Sequence, residues 1–149
     1  MGARIKPGKN TDRILRDTIG HREAFRSGMT EAMNYVGQIS LKRLRELIIQ
    51  GPKTGRIYRR PGGRLHQASA PGQPPANDTG QLQRTATYDV SGTTQIEFGD
   101  TEPYGRWLED GTKDGRILPR GHVKRAADEV SRQATAELGN RVARKLKIL

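Results

Sequence analysis

From Glu23 to Gln50 one row of positions recurs every three or four residues: Phe25, Met29, Met33, Val36, Ser40, Leu44 and Leu47, with Arg, Lys and Glu between them. That period predicts an amphipathic helix, stopped by Gly51-Pro52. A second row, Val123, Ala127, Val130, Ala134, Leu138, Val142, Leu146 and Leu149, predicts a closing helix. At 1.5 Å per residue it would be on the order of 40 Å long. Between the two rows the period changes to two: Ala86, Tyr88 and Val90, then Thr94, Ile96 and Phe98, around a Ser91-Gly92 turn. This alternation predicts a β-hairpin over 85–99. Tyr104, Trp107 and Leu108 fit one short helix ending at Gly111, with Trp107 expected as a core or interface anchor. Residues 1–20 read as an arm interrupted by Pro7-Gly8. Its short helix would be capped by Thr11 or Asp12, edged by Ile14, Leu15 and Ile19, and closed by Gly20. Gly28 and Gly37 interrupt the first long row, and a close crossing by another helix would account for them.

The stretch from Gly51 to Gly80 has neither period. Its first half places Arg56-Ile57-Tyr58-Arg59 and Arg64-Leu65-His66-Gln67 around Pro61-Gly62-Gly63, the pattern of a turn between two extended arms. Its second half is a Pro-rich strap that excludes helix. Asp78 or Thr79 can cap a short helical turn through Leu82. Loops of this length are uncommon in compact domains and are usually functional or disordered. The expected fold is therefore α+β: one domain over 1–149, with two long helices on a small antiparallel sheet and an extended loop over 51–80.

Composition changes the picture in two ways. Only 28 of 149 residues are Leu, Ile, Val or Phe, against a net charge of +11. A small core with part of its stability supplied by neighbouring subunits is the expectation. The charge is also uneven. Lys53, Arg56, Arg59, Arg60 and Arg64 have no acidic residue among them, whereas Glu97, Asp100, Glu102, Glu109, Asp110 and Asp114 face only Arg106 and Lys113. The basic run, with Tyr58, is the candidate contact with a partner: DNA phosphates, met without regard to sequence, or an acidic neighbouring subunit. The acidic run reads as a solvated or inter-subunit face.

Enzyme chemistry finds little support. There is no cysteine, which removes thiolate sites and disulfides. His21, His66 and His122 stand in separate segments without metal spacing, and read as surface or supporting residues. Gly51-Pro-Lys-Thr-Gly55 lacks the spacing of a phosphate loop, and no GxSxG elbow occurs. No cofactor, metal or small-molecule substrate is expected. No apolar run approaches the 18–20 residues that span a bilayer, and the basic start has no apolar signal region, so a soluble chain made in the cytoplasm is expected.

The segment Gln67-Ala-Ser-Ala-Pro-Gly-Gln-Pro-Pro-Ala-Asn-Asp-Thr-Gly-Gln-Leu82 resembles a signature of the head–tail joining, or tail-completion, proteins of long-tailed double-stranded-DNA phages. The strap residues that carry it are Ser69, Pro71, Gly72, Pro75, Asp78, Thr79, Gly80 and Leu82. Downstream, Tyr104-Gly-Arg-Trp-Leu-Glu-Asp-Gly-Thr112 is similar to that family's second box, through Tyr104, Trp107, Glu109, Gly111 and Thr112. Leu118-Pro-Arg-Gly-His-Val123 stands where the family has a Pro/Arg motif, but lacks its Phe. The resemblance covers about residues 25–135. It implies a virion protein of the neck, assembled in the host cytoplasm: a ring subunit, as a homo-hexamer, that joins the filled head to the tail around a DNA channel. It also implies neighbouring head-completion or connector proteins and tail-terminator or tail-tube proteins as partners, and no catalysis. The alternative from the residues themselves is a basic, non-specific nucleic-acid-binding module.

Overall fold

A computed structural model describes residues 9–147, with side chains from Arg16 to Lys147. Eight elements follow in order: α1 (Lys9–Gln50), β1 (Ile57–Arg59), β2 (Leu65–Gln67), α2 (Gln81–Thr85), β3 (Ala86–Ser91), β4 (Gln95–Asp100), α3 (Gly105–Asp110) and α4 (His122–Lys145). The fold class is α+β, as the periodicities predict.

The arm differs from its expectation. The helix does not close at Gly20 and reopen at Glu23; α1 runs unbroken for 42 residues, about 63 Å at the standard rise. A glycine inside a helix costs only about 1 kcal/mol relative to alanine, and no proline follows Gly20 to enforce a stop. Thr11 and Asp12 thus lie inside the helix rather than ahead of it. Pro7, Gly8, the side chains of Ile14 and Leu15, and Leu149 lie outside the described residues. Ile19 is exposed, and so is Phe25 at the start of the predicted stripe.

From Gly28 onward α1 is covered. Met33, Val36, Ser40, Leu44 and Leu47 are buried, with Met29 half-buried. The antiparallel partner is α4: Arg43 meets Glu129 near one end, and Arg141 and Lys145 both reach Glu31, at 3.2 Å, near the other. The two interrupting glycines have distinct reasons. A Cβ at Gly28 would stand 3.1 Å from the Val142 Cα, so this glycine lets α4 approach. A Cβ at Gly37 would overlap the Tyr88 ring, so that one admits a strand side chain rather than a helix.

β3 and β4 pair antiparallel from Ala86↔Asp100 to Ser91↔Gln95. Ser91 therefore belongs to the strand. The turn is the three residues from Gly92 to Thr94 instead of Ser91-Gly92, because left-handed Gly92 (φ 66°) makes the reversal one step later. The core joins Leu44, Leu47 and Ile48 of α1 to Leu82, Ala86 and Ala126, with Leu41, Phe98, Leu108 and Val123 packed against them. β1 and β2 form a separate two-stranded sheet. Pro61-Gly62-Gly63 turns it as predicted, with both glycines at positive φ and Arg60 N–H donating to the Arg64 carbonyl at 2.8 Å.

The strap is less bare than its composition suggests. Ser69, Pro74 and Pro75 are buried, because proline rings are apolar and the turn at Pro71-Gly72 folds the strap back on itself. Gln73 holds that turn: its Oε1 accepts from Ala70 N–H at 2.8 Å, and its Nε2 donates to Thr54 Oγ1 at 2.8 Å.

Candidate functional site

The strap, the Tyr104–Thr112 stretch and the Leu118–Val123 stretch meet in one place. The meeting point is the turn Leu118–Gly121 that leads into α4. Arg120 N–H donates to the Leu108 carbonyl at 2.7 Å, and Gly121 N–H to the Glu109 carbonyl at 3.3 Å, tying the turn to α3. Arg120 Nη1 then reaches across to the strap. It donates to the Ser69 carbonyl (2.7 Å), Ser69 Oγ (2.9 Å) and the Ala70 carbonyl. Gly72 N–H donates to the Pro119 carbonyl at 3.2 Å, and Arg125 Nη2 to the Gly72 carbonyl at 2.9 Å.

Glu109 is the cap of α4. Gly121 occupies the N-cap position with no side chain to offer, so the first helical N–H groups need an outside acceptor. The Glu109 carboxylate supplies it, accepting from Val123 N–H at 2.8 Å and Lys124 N–H at 2.9 Å. A negative charge there is also favoured by the helix dipole. Glu109 Oε2 lies 3.0 Å from His122 Nδ1, and His122 Nε2 hydrogen-bonds Asp100 Oδ2 at 3.1 Å. The His122 side chain is 0% exposed and that of Asp100 4%. His122 is thus no surface residue, and Asp100 and Glu109 are no solvated acidic face: the polar groups bury each other. Glu97, Asp110 and Asp114 do remain exposed. Gly105 makes this possible, since a Cβ there would overlap the Asp100 carboxylate.

Gly111 and Thr112 close α3. Gly111 sits at φ 80°, and a Cβ on it would stand 2.9 Å from the Ile117 carbonyl and from Pro119 Cδ. Thr112 Oγ1 donates to Asp114 Oδ1 at 2.6 Å and accepts from Ile117 N–H at 3.0 Å. That bond and the Arg116 N–H hold the Asp114 carboxyl below its ordinary range. At the strap's end, Thr79 Oγ1 accepts from Gln81 N–H at 3.3 Å, but the expected side-chain cap of α2 by Asp78 or Thr79 is not made. Gly80, left-handed at φ 78°, holds the N-cap position itself, and Leu82 enters the core.

The basic hairpin is partly engaged. Asp78 of the strap meets Arg60, and its Oδ1 lies 3.3 Å from His66 Nδ1. Arg60 also stands over the Tyr58 ring, 5.7 Å from its centroid, and Tyr58 meets His66 edge-on at 5.2 Å. Burial, and then the charges of Arg60, Lys53 and Arg64, push the His66 imidazole below its usual range. Lys53, Arg56, Arg59 and Arg64 are exposed, as are Ile57 and Leu65, at 57% and 62%. The alternation of the paired strands puts Ile57, Arg59, Leu65 and Gln67 on one face and Tyr58 and His66 on the other. Trp107 is 52% exposed, so it is no core anchor.

Asp100, Gly105, Arg120 and His122 carry this junction and were not singled out in the sequence as contributors to a site. Among the described residues no group of His, Asp and Glu is arranged to hold a metal ion, and no helix is long and apolar enough to cross a membrane. No protein family, curated protein or solved structure compared with the chain matches it.

Proposed function

We propose that the chain is a structural subunit of a phage neck. In this reading it forms a homo-oligomeric ring, a hexamer, between head-completion or connector proteins and the tail terminator or tube, with DNA passing through the channel. The observation that carries the reading is the junction. The strap, the Tyr104–Thr112 box and the turn before α4 stand in the order of the phage signature, and their residues act together to hold one shape. The role is non-catalytic, and its place is the virion. Exposed Ile57, Leu65, Trp107 and Leu118 are apolar surface that a ring neighbour can cover.

The hairpin is the contact element in this account. Gly55 N–H donates to the Ala68 carbonyl at 2.8 Å and Ala68 N–H to the Arg56 carbonyl at 3.0 Å. Residues 56–67 therefore leave and rejoin the body at adjacent points and can be replaced by a short glycine link. That replacement is expected to yield folded protein and unjoined heads and tails. Normal infectious particles containing it would overturn the proposal. The exposed cations Arg56, Arg59 and Arg64 favour a second reading, non-specific nucleic-acid binding. It requires the isolated chain to bind DNA with a steep loss of affinity as salt rises; a flat salt response would exclude it.

A further inference from the structure

Beneath the hairpin lies a cleft of about 400 Å³, within the range of ligand sites. Strap residues form one wall, Tyr58 and Tyr104 stand at it half-exposed, Leu82 and Leu108 add carbon, and Arg60 and Arg120 contribute guanidinium groups. The two arginines differ. Arg60 has a carboxylate, Asp78. Arg120 has only neutral acceptors, the Ser69 and Ala70 carbonyls and the Ser69 hydroxyl, and no ion pair among the described residues. Its Nε is buried without a hydrogen-bond partner, as is that of Arg60. Burial depresses the Arg120 pKa, with no carboxylate to oppose it. A cation removed from water without a counter-charge is costly, and an arriving carboxylate recovers part of that cost.

We propose that this cleft binds a carboxylate side chain from an acidic, apolar-flanked segment of another protein chain. The shape of the site selects that class. A bare inorganic anion has no carbon to set against the two phenol rings, Leu82 and Leu108. A DNA duplex held by Arg56, Arg59 and Arg64 would lie outside the cleft, since none of these lines it. The carboxylate meets the Arg120 guanidinium where it lines the cleft, its Nη1 already committed to the strap, while the neighbouring apolar residues of the segment pack between the tyrosines. The inference is independent of the neck assignment, because it follows from the cleft alone.

The test is NMR of the full chain, following the arginine Nε–H signals. The probes are the capped peptide acetyl-Leu-Glu-Phe-amide, its Leu-Gln-Phe counterpart and inorganic phosphate. The glutamate peptide is expected to shift the Arg120 signal saturably. The glutamine peptide should bind about tenfold more weakly or worse, the worth of one charge-assisted hydrogen bond, and phosphate should bind more weakly than the glutamate peptide. Substituting Arg120 would loosen the strap, so the cleft is altered by Tyr58→Ala with Tyr104→Ala. This pair should weaken the glutamate peptide severalfold while leaving the α4 amide signals in place. Equal binding of the two peptides, phosphate binding as well as the glutamate peptide, an unmoved Arg120 signal, or undiminished peptide binding by the tyrosine variant would each overturn the proposal.

Discussion

The junction around Arg120 and the hairpin tip are built from similar residues and put them to opposite use. In the junction, charged side chains turn inward: Glu109 caps α4, Asp100 and Glu109 flank His122, and Arg120 holds the strap's carbonyls. At the hairpin, Arg56, Arg59 and Arg64 point to solvent beside exposed Ile57 and Leu65. Under the proposed function, stability and contact are thereby separated. A chain with few large apolar residues fixes its shape partly with an inward-facing polar network, and leaves carbon exposed at the hairpin.

The sharpest way to break the comparison is at Gly105. Gly105→Ala drives a methyl into the Asp100 carboxylate, separating it from His122, and should destabilise the chain by about 3 kcal/mol or more in chemical denaturation. A loss below about 1 kcal/mol would mean that the buried network is not a stabilising unit. Glu109→Ala removes the α4 cap and one carboxylate from His122, and should cost about 2–3 kcal/mol. Asp110→Ala, one residue away and exposed, should change stability by less than about 0.5 kcal/mol. Equal effects at the two positions would remove the distinction drawn here between inward and outward acids.

Much of this organisation is legible in the sequence. The helical rows, the two hairpins and the Pro61-Gly62-Gly63 turn follow from period and turn chemistry, both local properties. The junction is not local. Nothing near Arg120 in sequence says that Ser69 and Ala70 will accept its hydrogen bonds, and nothing near His122 says that Asp100 will reach it. Charge counting treated Asp100 and Glu109 like Asp110 because it cannot see which carboxylates face inward. A signal did exist: Gly121 offers α4 no side-chain cap, so its first N–H groups need an outside acceptor, which Glu109 supplies. At Gly20 the error ran the other way, since one glycine without a following proline is a cost to a helix and not a terminator.

A smaller effect separates the hairpin's two faces. Because the His66 pKa in the folded chain is depressed below its unfolded value, the neutral ring is the form the fold favours. The stability linked to it is present above the unfolded pKa, and is lost as pH falls through the lower folded one. Protection of the amides of residues 56–68, taken as the hydrogen-exchange rate relative to the intrinsic rate at each pH, should therefore fall as the solution is acidified through that range, while that of α4 near Val130 changes less. His66→Gln should flatten the response. An unchanged response in that variant would assign the loosening to other groups.

The most direct test of the central claim alters the hairpin's outer face and leaves Asp78, His66 and Arg60 in place. The full chain carrying Arg56→Ser, Ile57→Ser, Arg59→Ser and Leu65→Ser is compared with the unaltered chain for thermal unfolding and for incorporation into joined phage particles. The account predicts a melting temperature within roughly 5 °C of the parent, the scale of about 1 kcal/mol, together with loss of incorporation. Full incorporation of the variant at normal stoichiometry, or collapse of the fold, would contradict it.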